Sequence, residues 1–405
     1  MVTAAGGAKA SEPSGKGSSM RIGVIGFGSR MRSLLRMIDN FNAGAKVVAI
    51  ADPNFDAIAG RLREKGEALP ACAIFADADE MLDKVPLDAV MVGTRCSLHA
   101  TMAIKALERD LPLYLEKPVA TNRRDLSALA AAGRESKAGV VVSLPLRVSP
   151  LVAVAKEIVD SGKIGSIESV NAWCEPPYAA TYYRNWYRDE AETGGLWLQK
   201  ATHDFDYITH LVDSAPKKIA AMTSKRIFTG ERPEGLRCND CEEWVDCLES
   251  PFHLFFSRGE SDKVEPNEYY CMFAKDTGNE DSGRAILEYE SGVQASYTQH
   301  FMVRRGAAQR GARIYGYKGT IEFDWYTDEL KVFMHHAPRI ETHRIDSSAL
   351  SHAGGDNVLI WNFLQVVRGV EKSVSPLSAG VTSVNLCLGA RESSASGEFI
   401  EIKPV

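Results

Sequence analysis

The stretch "MRIGVIGFGSRMRSLLRMIDN", residues 20–40, decides the fold. A short apolar run from Ile22 to Ile25 breaks at two glycines, and apolar residues then recur at Met31, Leu34, Leu35 and Ile38, the spacing of one helix face. The order is strand, glycine turn, helix. Gly26 permits a tight turn, and Gly28 lets backbone approach an anion held by the free N–H groups of the helix start. Met31 occupies the place where a third glycine or alanine brings helix close to strand in a dinucleotide fingerprint, so the turn taken alone also fits a strand-to-helix connection without a ligand.

Working outward, "KVVAIADPN" (46–54) is a second β-rich run ending in Asp52, about 20 residues past the glycines, where an acidic side chain accepts from ribose hydroxyls. A carboxylate there repels a 2′-phosphate, which favours NAD(H), while Arg30 and Asn54 leave NADP(H) open. "AIFADADEML" (73–82) and the segment 87–136 continue the alternation of strand and helix. That rhythm predicts a doubly wound parallel sheet over residues 20–143.

At 405 residues the chain is longer than one core supports, so a second domain is expected over 144–405. With 45% hydrophobic and 25% charged residues the composition is that of a globular protein. A net charge of -6 and a pI near 5.9 argue against nucleic acid or an anionic membrane as partner. Residues 1–19, rich in Gly, Ala and Ser, read as a disordered tail with neither a signal-peptide core nor a membrane span. Eight dispersed cysteines and no leader point to a reducing cytoplasm.

Beyond Ser143 the pattern changes. The helix-like "SPLVAVAKEIVDSGKIG" (149–165) leads into a β run and then into "GRAILEYESGVQASYTQHF", "ARIYGYKGTIEFDW" and "ELKVFMHH", which alternate as antiparallel strands do. The fold class read from the whole chain is therefore α/β, an N-terminal Rossmann domain joined to an α+β domain with a large, mostly antiparallel open sheet.

Three segments together, "GFGSRM", "GTRCSLHATMAIKAL" and "YLEKPVATN", resemble the glucose-fructose oxidoreductase / inositol dehydrogenase / MocA family of NAD(P)-dependent oxidoreductases, Glu116-Lys117-Pro118 being the most specific of the matches. "GYKGTIEFD" and "HAGGDNVLIWNFL" extend the resemblance over nearly the whole chain. It implies a cofactor-facing set of Gly26, Phe27, Gly28, Ser29, Arg30, Met31, Asp52, Thr94, His99, Glu116 and Lys117. It also implies a sugar, cyclitol or sugar derivative as substrate, held against the second sheet. The open face of that sheet is the expected self-association surface of a homodimer or homotetramer, since exposed sheet of that size is usually covered.

"GGLWLQKATHDFDY" (194–207) carries the chemistry. Oxidising a secondary alcohol needs a base for the hydroxyl proton, and histidine titrates in the right range, while a lysine ammonium polarises the hydroxyl. The resemblance gives these roles to His203 and Lys117, and it places an aspartate where this chain has Gln199, followed by Lys200. Gln199 cannot stabilise an imidazolium by charge, which leaves Asp204 or Asp206 to compensate. A regular helix places Gln199, His203 and Asp206 on one face, with Lys200 about 100° around from Gln199 at the cleft edge, and Gln199, Lys200 and Asp206 are expected to contact the substrate. Upstream, Tyr178, Tyr183 and Trp186 with Arg184 are candidates for sugar contact, since aromatic faces stack on sugar rings and guanidinium forks hold hydroxyls or carboxylates. A NAD-dependent glycoside hydrolase working through transient oxidation, and a nicotinamide-dependent sensor without activity, are the rival functions.

Asp356 reads as a helix N-cap, and Arg304, Arg305, Arg310 and Arg313 as solvated charge. Cys238, Cys241 and Cys247, with His253 or a distant cysteine, have spacing compatible with a structural zinc. A redox pair and three unligated thiols remain as alternatives.

Overall fold

The computed structural model describes residues 19–41, 43–254, 269–346 and 351–405. The tail expected over 1–19 lies outside them, apart from Ser19.

The first sheet consists of β1 (Met20–Ile25), β2 (Ala45–Ala51), β3 (Ala73–Phe75), β4 (Ala89–Val92), β5 (Leu113–Leu115) and β6 (Val140–Val142). These pair in parallel in the order β3-β2-β1-β4-β5-β6, the dinucleotide-binding order, whose reversal between β1 and β4 opens a crevice at the strand ends. The helix Ser29–Asn40 buries Met31, Leu34, Leu35 and Ile38 against it, the face that the apolar spacing predicts.

The second sheet holds β7 (Ile167–Glu175), β8 (Pro216–Ser224), β9 (Ser282–Tyr289), β10 (Gln294–His300), β11 (Gln309–Gly316), β12 (Gly319–Asp324), β13 (Glu329–Met334), β14 (Ile340–Arg344) and β15 (Ile400–Glu401). Their order is β14-β13-β12-β11-β7-β10-β9-β8-β15, and only the β7–β10 pairing is parallel. One face turns Val170, Ala172, Cys174, Ala295 and Tyr297 into the core, beneath helices that include Thr202–Val212 and Leu377–Ser396. Exposed Met222 and Ile286 mark the other.

The two sheets share helical cover. Leu359, Ile360, Phe363 and Leu364 of the helix Gly355–Val367 return to pack on Ile22, Val24, Met91 and Tyr114 of the first sheet. Gly355 makes that return possible: a Cβ there would lie 2.0 Å from the Pro145 carbonyl oxygen. A cut at 143/144 thus separates the sheets but not the helices that cover them. Among the described residues no helix is long and apolar enough to cross a membrane.

Residues 193–208 are all buried. A π-helical turn, Trp197–Ala201, leads into the helix Thr202–Val212. Leu198, Phe205 and Ile208 are completely buried, each contributing roughly 1.5–3 kcal/mol. Gln199, Lys200, His203, Asp204 and Asp206 are dragged in with them, and each needs a partner, because an unpaired buried polar group offsets about as much.

Candidate active site

The crevice between β1 and β4 fits a dinucleotide. Gly26 has a φ of +89°, and a Cβ on it would stand 2.7 Å from the Gly93 carbonyl oxygen and the Thr94 nitrogen, so the two turns touch through backbone alone. At Gly28 no atom lies within 4 Å of a Cβ position, which leaves the N-terminus of the helix Ser29–Asn40 open to an anion, with Ser29 exposed beside it. Met31 is reconciled with close packing by Gly93, whose missing side chain makes room for the Met31 methyl group. Asp52 stands at the end of β2, its carboxylate accepting from the backbone N–H of Phe27 (2.7 Å) and of Asn54 (2.8 Å). The Phe27 ring packs on Phe55, so its part in the turn is played by backbone.

Other members of the expected cofactor set have partners within the protein. His99 is buried, its ring spanning the carbonyls of Pro118 (2.8 Å) and Thr94 (3.2 Å). Burial holds its pKa below the usual histidine value. Arg30 contributes Nε to Glu116 (2.8 Å) and a fork to Asp356 (2.8 and 2.6 Å), and Glu116 also accepts from Ser143 Oγ (3.0 Å). Arg30 is therefore committed to two carboxylates and is not offered to a 2′-phosphate. Asp356 corrects the capping assignment: Gly354 is the N-cap, and the Asp356 carboxylate is the buried partner of Arg30.

Lys117, at the end of β5, donates to the backbone carbonyl of Gln199 (2.9 Å) in the π-turn that runs directly into His203. Burial pulls its pKa down to about 8, and the charges of Lys200 and Arg30 add to this against Cys96 and Glu116. The π-turn changes the phase on which the shared-face expectation rested. The Gln199 side chain turns to the Thr193 carbonyl (3.0 Å) and Cys96 Sγ (3.4 Å). Asp206 sits against Arg147 (3.3 Å) on a cavity of about 330 Å³ that His210 and Ser383 also line, with none of Lys117, Gln199 or Lys200 in its wall. Burial lifts its carboxyl pKa to about 7. Asp204 is gripped by Arg310 Nε and Nη2 (3.0 Å each) and by the Tyr297 hydroxyl (2.9 Å). Arg310 is consequently a buried ion-pair partner, not the solvated charge its sequence context implies.

Lys200 Nζ donates to the Tyr178 hydroxyl (2.8 Å) and lies 4.9 Å from the Tyr178 ring and 5.8 Å from that of Tyr182. Tyr178 is half exposed. Trp186 stacks on Tyr187 (4.0 Å) under the Arg95 guanidinium (3.9 Å). Tyr183 and Arg184 depart from the substrate expectation. Tyr183 is buried against Phe228 with its hydroxyl on the Glu280 carbonyl, and Arg184 is buried on Glu249, because the loop folds over a small core of its own. Tyr182 and Arg95 belong near Lys200 and Trp186, a pairing no local spacing signals.

All eight cysteines are free thiols, and among the described residues no group of three or more His, Cys, Asp or Glu side chains is arranged to hold a metal ion. Burial pushes the Cys238 thiol up to about 12.

Comparison with known proteins matches residues 20–144 to the oxidoreductase family with an NAD-binding Rossmann fold, GFO_IDH_MocA. Residues 152–322 match the GFO/IDH/MocA C-terminal domain. YteT of Bacillus subtilis (strain 168) is 26% identical over 316 residues, 70% of this chain and 73% of that protein. The scyllo-inositol 2-dehydrogenase (NAD(+)) of the same organism is 26% identical over 201 residues, 48% of this chain and 54% of that one. A levoglucosan dehydrogenase solved with NADH and levoglucosan shares the fold at a TM-score of 0.74 and 19% identity, covering 95% of this chain and all of its own (100%).

Proposed function

The chain belongs to the GFO/IDH/MocA family of NAD-binding oxidoreductases, and from that premise we propose that it moves hydride between a sugar-like secondary alcohol and NAD. The substrate class is a sugar, cyclitol or sugar derivative. His203 takes the hydroxyl proton, and Lys117 polarises the hydroxyl. The observation that carries this reading is the Lys117–Gln199 hydrogen bond, which ties the end of β5, beside the dinucleotide crevice, to the turn from which His203 emerges.

NAD, held by the Gly26–Gly28 turn and Asp52, supplies the hydride acceptor. The protein's own groups do the rest. One of the three Lys117 N–H donors is fixed by the Gln199 carbonyl, which aims the ammonium and leaves two for the substrate oxygen. His203, buried on the first turn of its helix, accepts the proton as the carbonyl forms and returns it in the reverse direction. NAD is favoured over NADP because the Asp52 carboxylate repels a 2′-phosphate and Arg30 is engaged elsewhere. The outer face of the second sheet, with Met222 and Ile286 exposed on β8 and β9, is the surface proposed for self-association into a dimer or tetramer.

The test is a panel of sugars, cyclitols and their glycosides with purified protein and NAD, scored for both NADH and released aglycone. NADH accumulation is expected. Glycoside cleavage without net NADH would replace the dehydrogenase reading by the transient-oxidation hydrolase, and NAD binding without turnover would support a sensor.

A further inference from the structure

Lys200 is 3% exposed, and among the described residues its ammonium has no carboxylate partner. Its surroundings are a phenol hydroxyl and two aromatic rings. The other cations of this region are differently placed: Arg310 has Asp204, and Arg30 has Glu116 and Asp356. Lys117 adds a second positive charge close enough to be felt, since each lysine ammonium raises the local potential of the other. Cation–π contacts recover only part of the hydration an ammonium loses on burial.

We propose that this arrangement is a built anion subsite, and that the natural substrate is a sugar acid whose carboxylate sits on Lys200 and Tyr178 while its hydroxyl is oxidised at Lys117 and His203. This deepens the dehydrogenase reading and rests on it. The stereochemistry of donors favours a carboxylate. Lys200 gives one N–H to the Tyr178 oxygen and keeps two; Tyr178, accepting there, keeps its own O–H to donate. Donors on two adjacent groups suit the two oxygens of a carboxylate, and half-exposed Tyr178 gives the anion an entry side.

The experiment compares hexuronates and aldonates with their neutral parent sugars and with sugar phosphates, measuring kcat/KM with NAD and, separately, calorimetric binding to the NAD-loaded protein. Wild type, Lys200→Met and Lys200→Arg are run, with thermal melts to confirm folding. Sugar acids are expected to be preferred over neutral sugars. Lys200→Met lowers their kcat/KM roughly 10- to 100-fold, through KM, with a change of less than about threefold for the neutral parents, and Lys200→Arg restores part of the loss. Equal use of acids and neutral sugars, or an equal loss for both in Lys200→Met, overturns the subsite while leaving the dehydrogenase reading intact. A preference for sugar phosphates over sugar acids also overturns it. Lys200-dependent binding of sugar acids without any NADH supports the subsite and overturns the dehydrogenase reading. If Lys200→Met fails to fold, the acid-to-neutral ratio of the wild type and of Lys200→Arg decides alone.

Discussion

Replacing Asp204 by asparagine tests whether the helix that carries His203 is anchored by a buried ion pair. Asp204 is fully buried, and its carboxylate takes both hydrogen bonds of the Arg310 fork and one from Tyr297. The pair joins the helix Thr202–Val212 to β11 and β10, one residue from His203. Asparagine keeps the shape and one acceptor but strands the Arg310 guanidinium, itself 6% exposed, without a counter-charge. Breaking one side of such a pair costs about 3–5 kcal/mol, and the acceptor that asparagine retains places the expected loss near the lower end, about 3 kcal/mol. For a unit of this size that corresponds to a drop of roughly 6–12 °C in Tm. Replacing both partners, Asp204→Asn with Arg310→Met, removes the uncompensated charge and restores most of the loss, because a buried pair is worth little against apolar groups of similar volume. Thermal and urea melts of wild type, both single variants and the double variant form the cycle. Asp204→Asn within about 1 kcal/mol of wild type, or a double variant no more stable than Asp204→Asn, would show that the pair does not anchor the helix.

Two further outcomes follow from the same geometry. Gly26→Ala combines a positive φ with a Cβ placed 2.7 Å from the backbone of Gly93 and Thr94, so β1 and β4 must part at the cofactor crevice. NADH titration by fluorescence is expected to show at least about tenfold weaker binding, the ~1–2 kcal/mol of left-handed strain being the smaller share of the cost. For Lys117, burial places the pKa at about 8, so the ammonium proposed to polarise the hydroxyl is lost as pH rises through that value, and kcat/KM is expected to decline on the alkaline side. In Lys117→Arg the charge persists at high pH, so the variant is slower but its alkaline limb disappears; a limb unmoved by the substitution assigns it to another group.

The parts of the fold carried by local pattern were legible in the chain. β1, its glycine turn and the helix face of Met31, Leu34, Leu35 and Ile38 follow from spacing alone, and the fold ties Lys117 of the Glu116-Lys117-Pro118 segment to the Gln199 carbonyl. Long-range charge pairing was not. Arg30 and Asp356 are 326 residues apart, and Asp204 and Arg310 are 106 apart, so nothing in the neighbourhood of either member reveals its partner. The segment 194–207 shows the limit of periodicity most clearly. Face arguments assume one wet side, but every residue from 193 to 208 is buried, and the π-turn shifts the phase between Gln199 and His203. Tyr183 and Arg184 misled for a related reason: aromatic and arginine content describes a sugar-binding loop and a small loop core equally well.

The most direct measurement follows the transferred atom. A substrate oxidised by the wild type is prepared with deuterium on the carbon bearing the reacting hydroxyl, and NADH recovered after turnover is examined by NMR. Deuterium is expected on the nicotinamide ring with the wild type. No detectable transfer is expected with Lys117→Met or His203→Ala, although both variants bind NADH as the wild type does. Near-normal transfer by both variants, or NADH formed by the wild type without the label, would rule out hydride transfer dependent on Lys117 and His203.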